Sequence, residues 1–266
     1  MIEAPLDKVL RTRDLVMGEP YVEKEVVPII QAQRDANCAR GLPSVRKDGT
    51  RDKRAAIVGY GPSLLETYSA LLAREGEYDV IWTVSKAHDF LIERGILPSH
   101  HTDTDYREHK ARYNMHWRPE INYVMATQVH PVYLDVLAGK KVSLFHVVQP
   151  NGGTYDPRYY KSPVTFDAGL QAARLAYELG YRVQDWYGMD ASARGDQTHA
   201  GPHEGVRPGP VTLEVAGQLR TMSAFLIRQA LFCERMLCKL PHLKVTILGD
   251  GALRPMLQER GKCRVS

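Results

Sequence analysis

The sequence predicts an α/β fold in which helices cover both faces of a mostly parallel sheet. Three observations point to it: short apolar runs alternate with helical patterns, glycines end several of those helices, and polar residues follow several of the runs. Alternation of strands and helices is typical of parallel sheets. The chain has 266 residues, of which 44% are hydrophobic, so it is long enough to bury a sizeable core.

The elements follow one another along most of the chain. Apolar runs predict strands over residues 55–58, 78–84, 100–105, 121–126, 141–148, 182–187 and 244–248. Helices are expected from residue 64 onward and over residues 87–94, 133–137, 166–179 and 214–240. Loops are expected over residues 149–163 and 191–210. Ligands of parallel sheets bind at the carboxyl ends of the strands, so we expect a site there.

The N-terminal part is expected to be an appendage to this sheet. Residues 1 to about 40 are predicted to be helical, with breaks at Pro20 and Pro28, and a polar, turn-rich stretch follows them. We therefore predict a helical N-terminal extension and linker over residues 1–54 and a Rossmann-like nucleotide-binding domain over residues 55–266.

Composition restricts the classes of partner. A net charge of +4 permits an anionic ligand, and a nucleic acid is possible but not indicated. We find neither a signal-peptide pattern nor an apolar run long enough to cross a bilayer, and therefore expect a cytoplasmic protein without a membrane partner. The four cysteines form no CxxC pair, so structural zinc is not expected.

A glycine-rich turn joins the first strand of the main domain to its helix. Gly59 and Gly61 leave room for a sharp turn and a close ligand, Pro62 suits the first position of a helix, and Ser63 offers a hydroxyl. The N–H groups at such a helix start favour a phosphate, with Leu64 as the next contact. A tight structural turn without a ligand is the alternative interpretation.

Acidic residues follow two other predicted strands. Asp103 and Asp105 lie two residues apart on a predicted strand, so their side chains should point the same way and could hold Mg²⁺. One of them could instead bind a ribose hydroxyl or act as a base, and a solvated strand end is the alternative. Asp190 could bind a metal or substrate, or cap the following turn.

Four histidines are candidates for ligand contacts. His101 precedes the acidic pair, while His130, His199 and His203 lie in predicted loops. A glycine and a proline between His199 and His203 argue against a helical zinc site, so contacts to a phosphate are the functional interpretation. Exposed loop histidines without a ligand are the alternative.

The predicted helix over residues 214–240 carries an apolar stripe. Such a stripe is typical of core or subunit packing, so the helix is a candidate interface for a homo-oligomer. The sequence contains no GxSxG, HExxH or kinase signature. Chemistry by positioning and electrostatics is therefore the class of mechanism that remains.

Several segments, in order along the chain, form a larger pattern. They are Ala-Ile-Val-Gly-Tyr-Gly-Pro-Ser-Leu at 56–64, residues 87–98 followed by Asp105, Ala-Thr-Gln-Val-His-Pro at 126–131, residues 173–180, and Trp-Tyr-Gly-Met-Asp at 186–190. Together they resemble the MptE-like (6-hydroxymethylpterin diphosphokinase-like) and Maf flagellin glycosyltransferase-like domain family, most of all its compact phage-type members. The resemblance covers residues 55–235.

The resemblance implies a Rossmann-like fold and a nucleotide donor. By position it implies nucleotide-phosphate contacts at the 59–63 turn and acidic site residues at Asp105 and Asp190. Further nucleotide contacts are expected at Ser85, Thr127 and Gln128. The chain departs from the family pattern at Ser85, where an Asn is common, and over residues 162–168, where a Gly-Gly-Ser/Thr turn is common.

Two catalytic hypotheses follow from the resemblance. The leading one is pyrophosphoryl transfer from Mg-ATP to a hydroxymethyl-type acceptor, with Asp105, His130 or Asp190 as the base. The alternative is a sialyltransferase-like enzyme that uses a CMP- or other nucleotide-activated sugar and a glycan or small-molecule acceptor, with His130 or His199 as the base. A non-catalytic nucleotide-binding module and a structural protein remain as further alternatives.

Overall fold

The computed structural model describes residues 2–5, 23–47, 52–150, 153–202 and 211–259. Its helices are α1 (Val27–Ala39), α2 (Leu64–Ala73), α3 (Ala87–Ile92), α4 (Pro131–Val136), α5 (Ala168–Glu178), α6 (Ala224–Cys238) and α7 (Leu253–Glu259). Its strands are β1 (Ile2–Pro5), β2 (Lys53–Val58), β3 (Val80–Val84), β4 (His100–Thr102), β5 (Asn122–Ala126), β6 (Lys141–Val148), β7 (Tyr160–Pro163), β8 (Tyr181–Tyr187), β9 (Val211–Val215), β10 (Gln218–Met222) and β11 (Lys244–Ile247).

An eight-stranded sheet forms the centre of the molecule. Its strand order is β11-β8-β2-β3-β4-β5-β6-β7, and every neighbouring pair is parallel. The chain runs outward from β2 to β7 and then returns through α5 to β8, on the other side of β2. The loops after β2 and β8 therefore diverge, which makes this edge the topological switch point where ligands of such sheets bind. The predicted α/β fold is confirmed.

Both faces of the sheet are covered by apolar contacts. Along β2, Ala55 and Ile57 join the larger apolar cluster beneath α5, whereas Ala56 and Val58 join a second cluster with α2 and α3. All five residues of β3 are buried. Strands buried on both faces read as continuous apolar runs, which is why these strands could be predicted.

A second, three-stranded sheet replaces part of the predicted 214–240 helix. Strand β9 pairs with β1 in parallel and with β10 in antiparallel orientation. Ala216 and Gly217 join β9 to β10 with positive φ angles of 51° and 73°, the geometry of a two-residue hairpin turn. The helix begins only at Ala224, where the Ser223 side chain accepts the N–H of Leu226. The predicted single helix is therefore wrong over 214–223.

Two other predicted elements are corrected. Residues 2–5 form a strand rather than a helix, and residues 160–163, predicted to be loop, form β7 at the edge of the sheet. Pro28 lies in the first turn of α1 and so does not break it, since an N–H is not needed there. The predicted break at Pro20 lies outside the described residues.

Helix α1 is attached to the sheet by a buried side chain. The Asn37 amide donates to the carbonyl oxygens of Thr127, 3.0 Å away, and Val129, 2.8 Å away, just after β5. Ile30 of the same helix reaches the cavity described below. Within the described segments, no helix is both long and apolar enough to cross a membrane.

Candidate functional site

A cavity of about 790 Å³ opens at the carboxyl edge of the large sheet. Its size is within the range of sites for small molecules and cofactors. The loops after β2, β3, β4 and β8 contribute to its wall, as does the start of α6. The predicted site residues that line it are Gly59, Gly61, Ser85, Asp103, Asp105, Gln128, Asp190 and His199.

The two glycines of the 59–63 turn allow a close contact between loops. A Cβ on either Gly59 or Gly61 would lie 2.6 Å from the carbonyl oxygen of Gly188, which is closer than van der Waals contact allows. The N–H of Gly59 donates to Tyr187 O and that of Gly61 to Gly188 O, both over 2.8 Å. Both N–H groups already donate to carbonyl oxygens of the loop after β8, so a phosphate could accept them only by displacing those oxygens. The tight structural turn is what the geometry shows here.

Asp190 occupies the start of α2. Its Oδ2 accepts the N–H of Ser63 over 2.9 Å, at the position where the sequence predicted a phosphate. Burial raises the pKa of the Asp190 carboxyl to about 6. The hydrogen bonds from Ser63 lower this pKa, but their effect is smaller than that of burial. An incoming phosphate at this N–H group would meet a buried carboxylate.

The other three residues of the turn lie outside the cavity. Pro62 and Ser63 line a separate pocket of about 200 Å³, together with Arg194 and Asp250. Leu64 is fully buried in the core. The cavity wall at this turn is therefore formed by Gly59, Tyr60 and Gly61.

The acidic pair is arranged differently from the prediction. Strand β4 ends at Thr102, so Asp103 and Asp105 lie in the following loop and not on one side of a strand. The Asp103 Oδ1 accepts the N–H groups of Thr104 over 2.7 Å and Asp105 over 2.9 Å, which closes a turn. Burial raises the pKa of Asp103 to about 6, and the charge of Asp105 adds to this.

Two cations accompany these acids. Arg107 donates to both oxygens of Asp105, with its shortest contact 2.6 Å long. The Nζ of Lys110 lies 3.6 Å from Asp105 Oδ2, and its side chain is only 8% exposed. Burial lowers the pKa of Lys110, whereas Asp103 and Asp105 raise it. Both cations line the cavity, where Asp103 and Asp105 balance their charges.

The predicted Mg²⁺ ligands are already bound to other groups. Both Asp105 oxygens accept from Arg107, and Asp103 Oδ1 accepts two backbone N–H groups. Across the described ranges, no group of three or more His, Cys, Asp or Glu side chains is placed to hold a metal. Mg²⁺ at this pair would need Asp105 to exchange its guanidinium for the ion.

His199 lies in the cavity wall, in the loop that follows β8. Its Nδ1 lies 2.9 Å from Thr198 Oγ1, and its ring centroid is 6.1 Å from that of Tyr60. Burial lowers the pKa of His199 to about 4, and the charges of Lys110 and Lys86 lower it further. The imidazole is therefore neutral near pH 7 and can accept a proton.

Three further predicted residues do not line the cavity. His101 is fully buried between Thr83 and Tyr133, because its side chain points from β4 into the core. Thr127 is also fully buried, and His130 is the residue that precedes α4. The predicted contact at His203 lies outside the described residues.

Ser85 and Gln128 are in the cavity wall as predicted. Ser85 has a φ of 50°, and its carbonyl oxygen accepts the Asn114 amide over 3.1 Å. The Gln128 amide donates to Thr104 O over 2.8 Å, while its buried Oε1 has no hydrogen-bond partner among the described residues. A ligand that donates a hydrogen bond would satisfy this oxygen.

Several residues of the cavity wall were not indicated as site residues by the sequence. Lys110 and Arg107 lie in the charged run 107–112, which reads as solvated surface. Phe166 and Phe225 read as core residues, and Asp167 as a helix cap. Phe166 and Asp167 follow β7, and Phe225 lies at the start of α6. These positions at the carboxyl edge of the sheet are the signal that could have indicated a part in the site.

Comparison with known families agrees with this arrangement. The family model described as "6-hydroxymethylpterin diphosphokinase MptE-like" matches residues 35–196, more than half of the chain. The chain belongs to this MptE-like family. The matched region contains the C-terminal end of α1, the loop after β2, the acidic turn after β4 and Asp190. No curated protein matches the sequence.

Among solved structures, the chain has the fold of a Maf glycosyltransferase from Magnetospirillum magneticum AMB-1. The TM-score is 0.66 at 15% identity, over 92% of this chain and 39% of that enzyme. The chain thus spans about two fifths of that enzyme's length. A mammalian sialyltransferase matches with a TM-score of 0.47 at 11% identity, over 86% of each chain.

Proposed function

We propose that this MptE-like protein is a nucleotide-dependent transferase that uses a nucleotide-activated sugar as its donor. The observation that carries the proposal is the pairing of a buried cation, Lys110, with a neutral histidine, His199, in one cavity at the switch point. The first group suits an anionic donor and the second suits removal of a proton from an acceptor hydroxyl. The Maf-like fold supports this class of reaction.

Lys110 is the expected partner of the donor phosphate. When the bond between sugar and phosphate breaks, negative charge grows on the departing nucleotide. A cation that is already desolvated stabilises that charge more than an exposed one would. Arg107 lies beside it but is bound to Asp105, so it is the second cation rather than the first.

His199 is the expected base. Burial is the main cause of the lowered His199 pKa, and the charges of Lys110 and Lys86 add to it. The phosphate of a bound donor would offset the part that the two lysines contribute, which would make the imidazole a better base. The proton of the acceptor hydroxyl would pass to the imidazole as the hydroxyl oxygen attacks the sugar. His130, the other candidate, does not line the cavity.

Pyrophosphoryl transfer from Mg-ATP is the second candidate. The description of the family supports it, and so does the presence of Asp103, Asp105 and Asp190 in one cavity. This reaction would need Asp105 to leave Arg107 and bind the metal, whereas transfer of a sugar would not. A module that binds a nucleotide without catalysis would use the same cavity.

A panel of nucleotides separates these candidates. Thermal melting is recorded with CMP, CMP-sialic acid, UDP-sugars and ATP, each with and without Mg²⁺, because a ligand of the folded state raises its melting temperature. We expect stabilisation by a sugar nucleotide or its nucleotide without metal, and slow release of that nucleotide from the donor. Stabilisation by ATP only with Mg²⁺ would favour the second candidate. No stabilisation by any nucleotide would contradict the proposal.

A further inference from the structure

An aromatic rim lies at the cavity mouth, formed by Phe166 before α5 and Phe225 at the start of α6. Their ring centroids are 4.8 Å apart and the ring planes are inclined by 52°. Phe225 is 43% exposed, although a large apolar side chain is normally covered. Both rings line the cavity, so they present an apolar surface to whatever enters it.

Next to this rim, a carboxylate has one oxygen engaged and the other available. Asp167 Oδ1 accepts the N–H of Leu170 over 2.9 Å and so caps α5. Its Oδ2 is buried and has no partner of ordinary hydrogen-bond length and angle among the described residues. Burial raises the pKa of this carboxyl, and an interaction with the Gln229 side chain in the same cavity wall lowers it. Gln128 Oε1 is a second buried acceptor without a partner in the described part of the same wall. Both oxygens require a ligand that donates hydrogen bonds.

We propose that Phe166, Phe225 and Asp167 form the acceptor subsite, and that the acceptor is a neutral sugar bearing free hydroxyl groups. The inference rests on the proposed function and assigns its second substrate. A pyranose ring combines an apolar C–H face, which packs on an aromatic ring, with hydroxyl groups that donate to a carboxylate.

The charges of the wall separate the two substrates. Lys110 and Arg107, in the loop after β4, are the cations that suit the donor phosphate, although Asp105 pairs with both of them and Asp103 lines the same part of the wall. At the rim, Asp167 supplies negative charge, which repels a phosphate or carboxylate and favours a neutral ligand. The exposure of Phe225 leaves the outer side of the subsite open, so the rest of a larger glycan can extend into solvent.

The inclination of the two rings bears on the kind of ligand. The ring centroids are only 4.8 Å apart and the planes are inclined by 52°, so no flat ligand such as a pterin can be held between them on both faces. A ligand packs on the outer face of one ring, which is sufficient for the C–H face of a sugar.

The test is direct binding of acceptor probes by saturation-transfer NMR. The probes are methyl glycosides of galactose, glucose, N-acetylgalactosamine and N-acetylglucosamine, the anionic methyl glucuronide, and 6-hydroxymethyl-dihydropterin, each with and without saturating CMP. We expect at least one neutral glycoside to bind and the glucuronide to bind more weakly. Phe225→Ala should weaken the neutral glycoside about tenfold, and Phe225→Tyr should restore it.

The variant Asp167→Asn tests the contribution of the Asp167 carboxylate to glycoside binding. Asn also caps helices, so α5 should remain folded, but the acceptor oxygen that faces the cavity is replaced by a donor. We expect about tenfold weaker glycoside binding with an unchanged melting temperature. Met115→Ala is the control for Phe225→Ala, because Met115 is another exposed apolar side chain and does not line the cavity.

The outcomes separate this inference from the proposed function. Wild-type affinity for the sugar nucleotide, measured by calorimetry, tests the proposed function alone. If the nucleotide binds but no neutral glycoside does, or if Phe225→Ala, Asp167→Asn and Met115→Ala have equal effects, the acceptor subsite is contradicted. Binding of the pterin in place of the glycosides would also overturn it.

Discussion

Asp190 carries part of the family resemblance and also joins loops that are distant in the sequence. Its carboxylate accepts the N–H of Ser63, at the end of the turn that the sequence assigned to phosphate. A Cβ on Gly251 would lie 2.5 Å from Asp190 Oδ1, so the loop after β11 is packed on the same group. No feature of the sequence indicates that these three loops meet on one carboxylate, because they are far apart along the chain.

The raised pKa of Asp190 gives a prediction for stability against pH. Its folded pKa is about 6 and its unfolded pKa 3.8, so the folded state holds the proton more tightly and loses stability as the pH rises through this interval. Asp190→Asn removes the ionisation but keeps an acceptor for Ser63. Relative to the wild type, we expect it to gain about 3 kcal/mol at pH 8, because the two pKa values differ by about two units, and well under ~1 kcal/mol at pH 4.

Denaturant unfolding at the two pH values checks this prediction. Asp196→Asn is the control, since Asp196 is an exposed carboxylate and its replacement should have the same small effect at both pH values. If Asp190→Asn lowers the stability more at pH 8 than at pH 4, the carboxylate is stabilising when ionised and the account of its pKa is wrong.

His199 and His130 were equal candidates for the base in the sugar-transfer reaction, and only His199 is in the cavity wall. His199→Ala should therefore lower the transfer rate by about 10² to 10⁴ while nucleotide affinity is retained. His130→Ala should leave the rate unchanged, which makes it the matched control. Equal losses in both variants, measured by steady-state kinetics, would contradict the assignment of His199.

Among the elements, the loops after β2 and β8 form the closest contact at the site. Gly61→Ala would place a methyl group 2.6 Å from the Gly188 carbonyl oxygen, and backbone atoms cannot move away easily. We expect a loss of about 1–3 kcal/mol of unfolding free energy. Gly76→Ala is the control, because a Cβ there meets nothing within 4 Å. Equal stability of the two variants would show that the loops are not packed as described.

Different elements were predictable to different degrees. Strands such as β3 are continuous apolar runs, because both of their faces are buried. The β9–β10 hairpin was missed because Leu219, Met222 and Phe225 have helical spacing, although Ala216 and Gly217 form a turn between them. Residues 211–215 form a strand that pairs with β1, which is distant in the sequence, and the local sequence pattern carries no information on that pairing.

For the whole molecule, the sequence predicted where the site lies better than which residues form it. The strand–helix alternation fixes a parallel sheet, and the topology then places a site at its carboxyl edge. Which residues form the cavity wall depends on which side chains after each strand point into the cavity rather than into the core. His101 and Thr127 point inward, whereas Lys110 turns into the cavity from a charged run that looked like surface.

The central claim is that the cavity binds the donor nucleotide and that Lys110 meets its phosphate. The most direct test is calorimetry of the nucleotide that stabilises the wild type, repeated on Lys110→Met, which keeps the length of the side chain, and on the exposed control Met115→Ala. We predict about 10- to 100-fold weaker binding for Lys110→Met alone, with a weaker dependence on salt. Unchanged affinity in Lys110→Met, with the fold intact, would contradict the account.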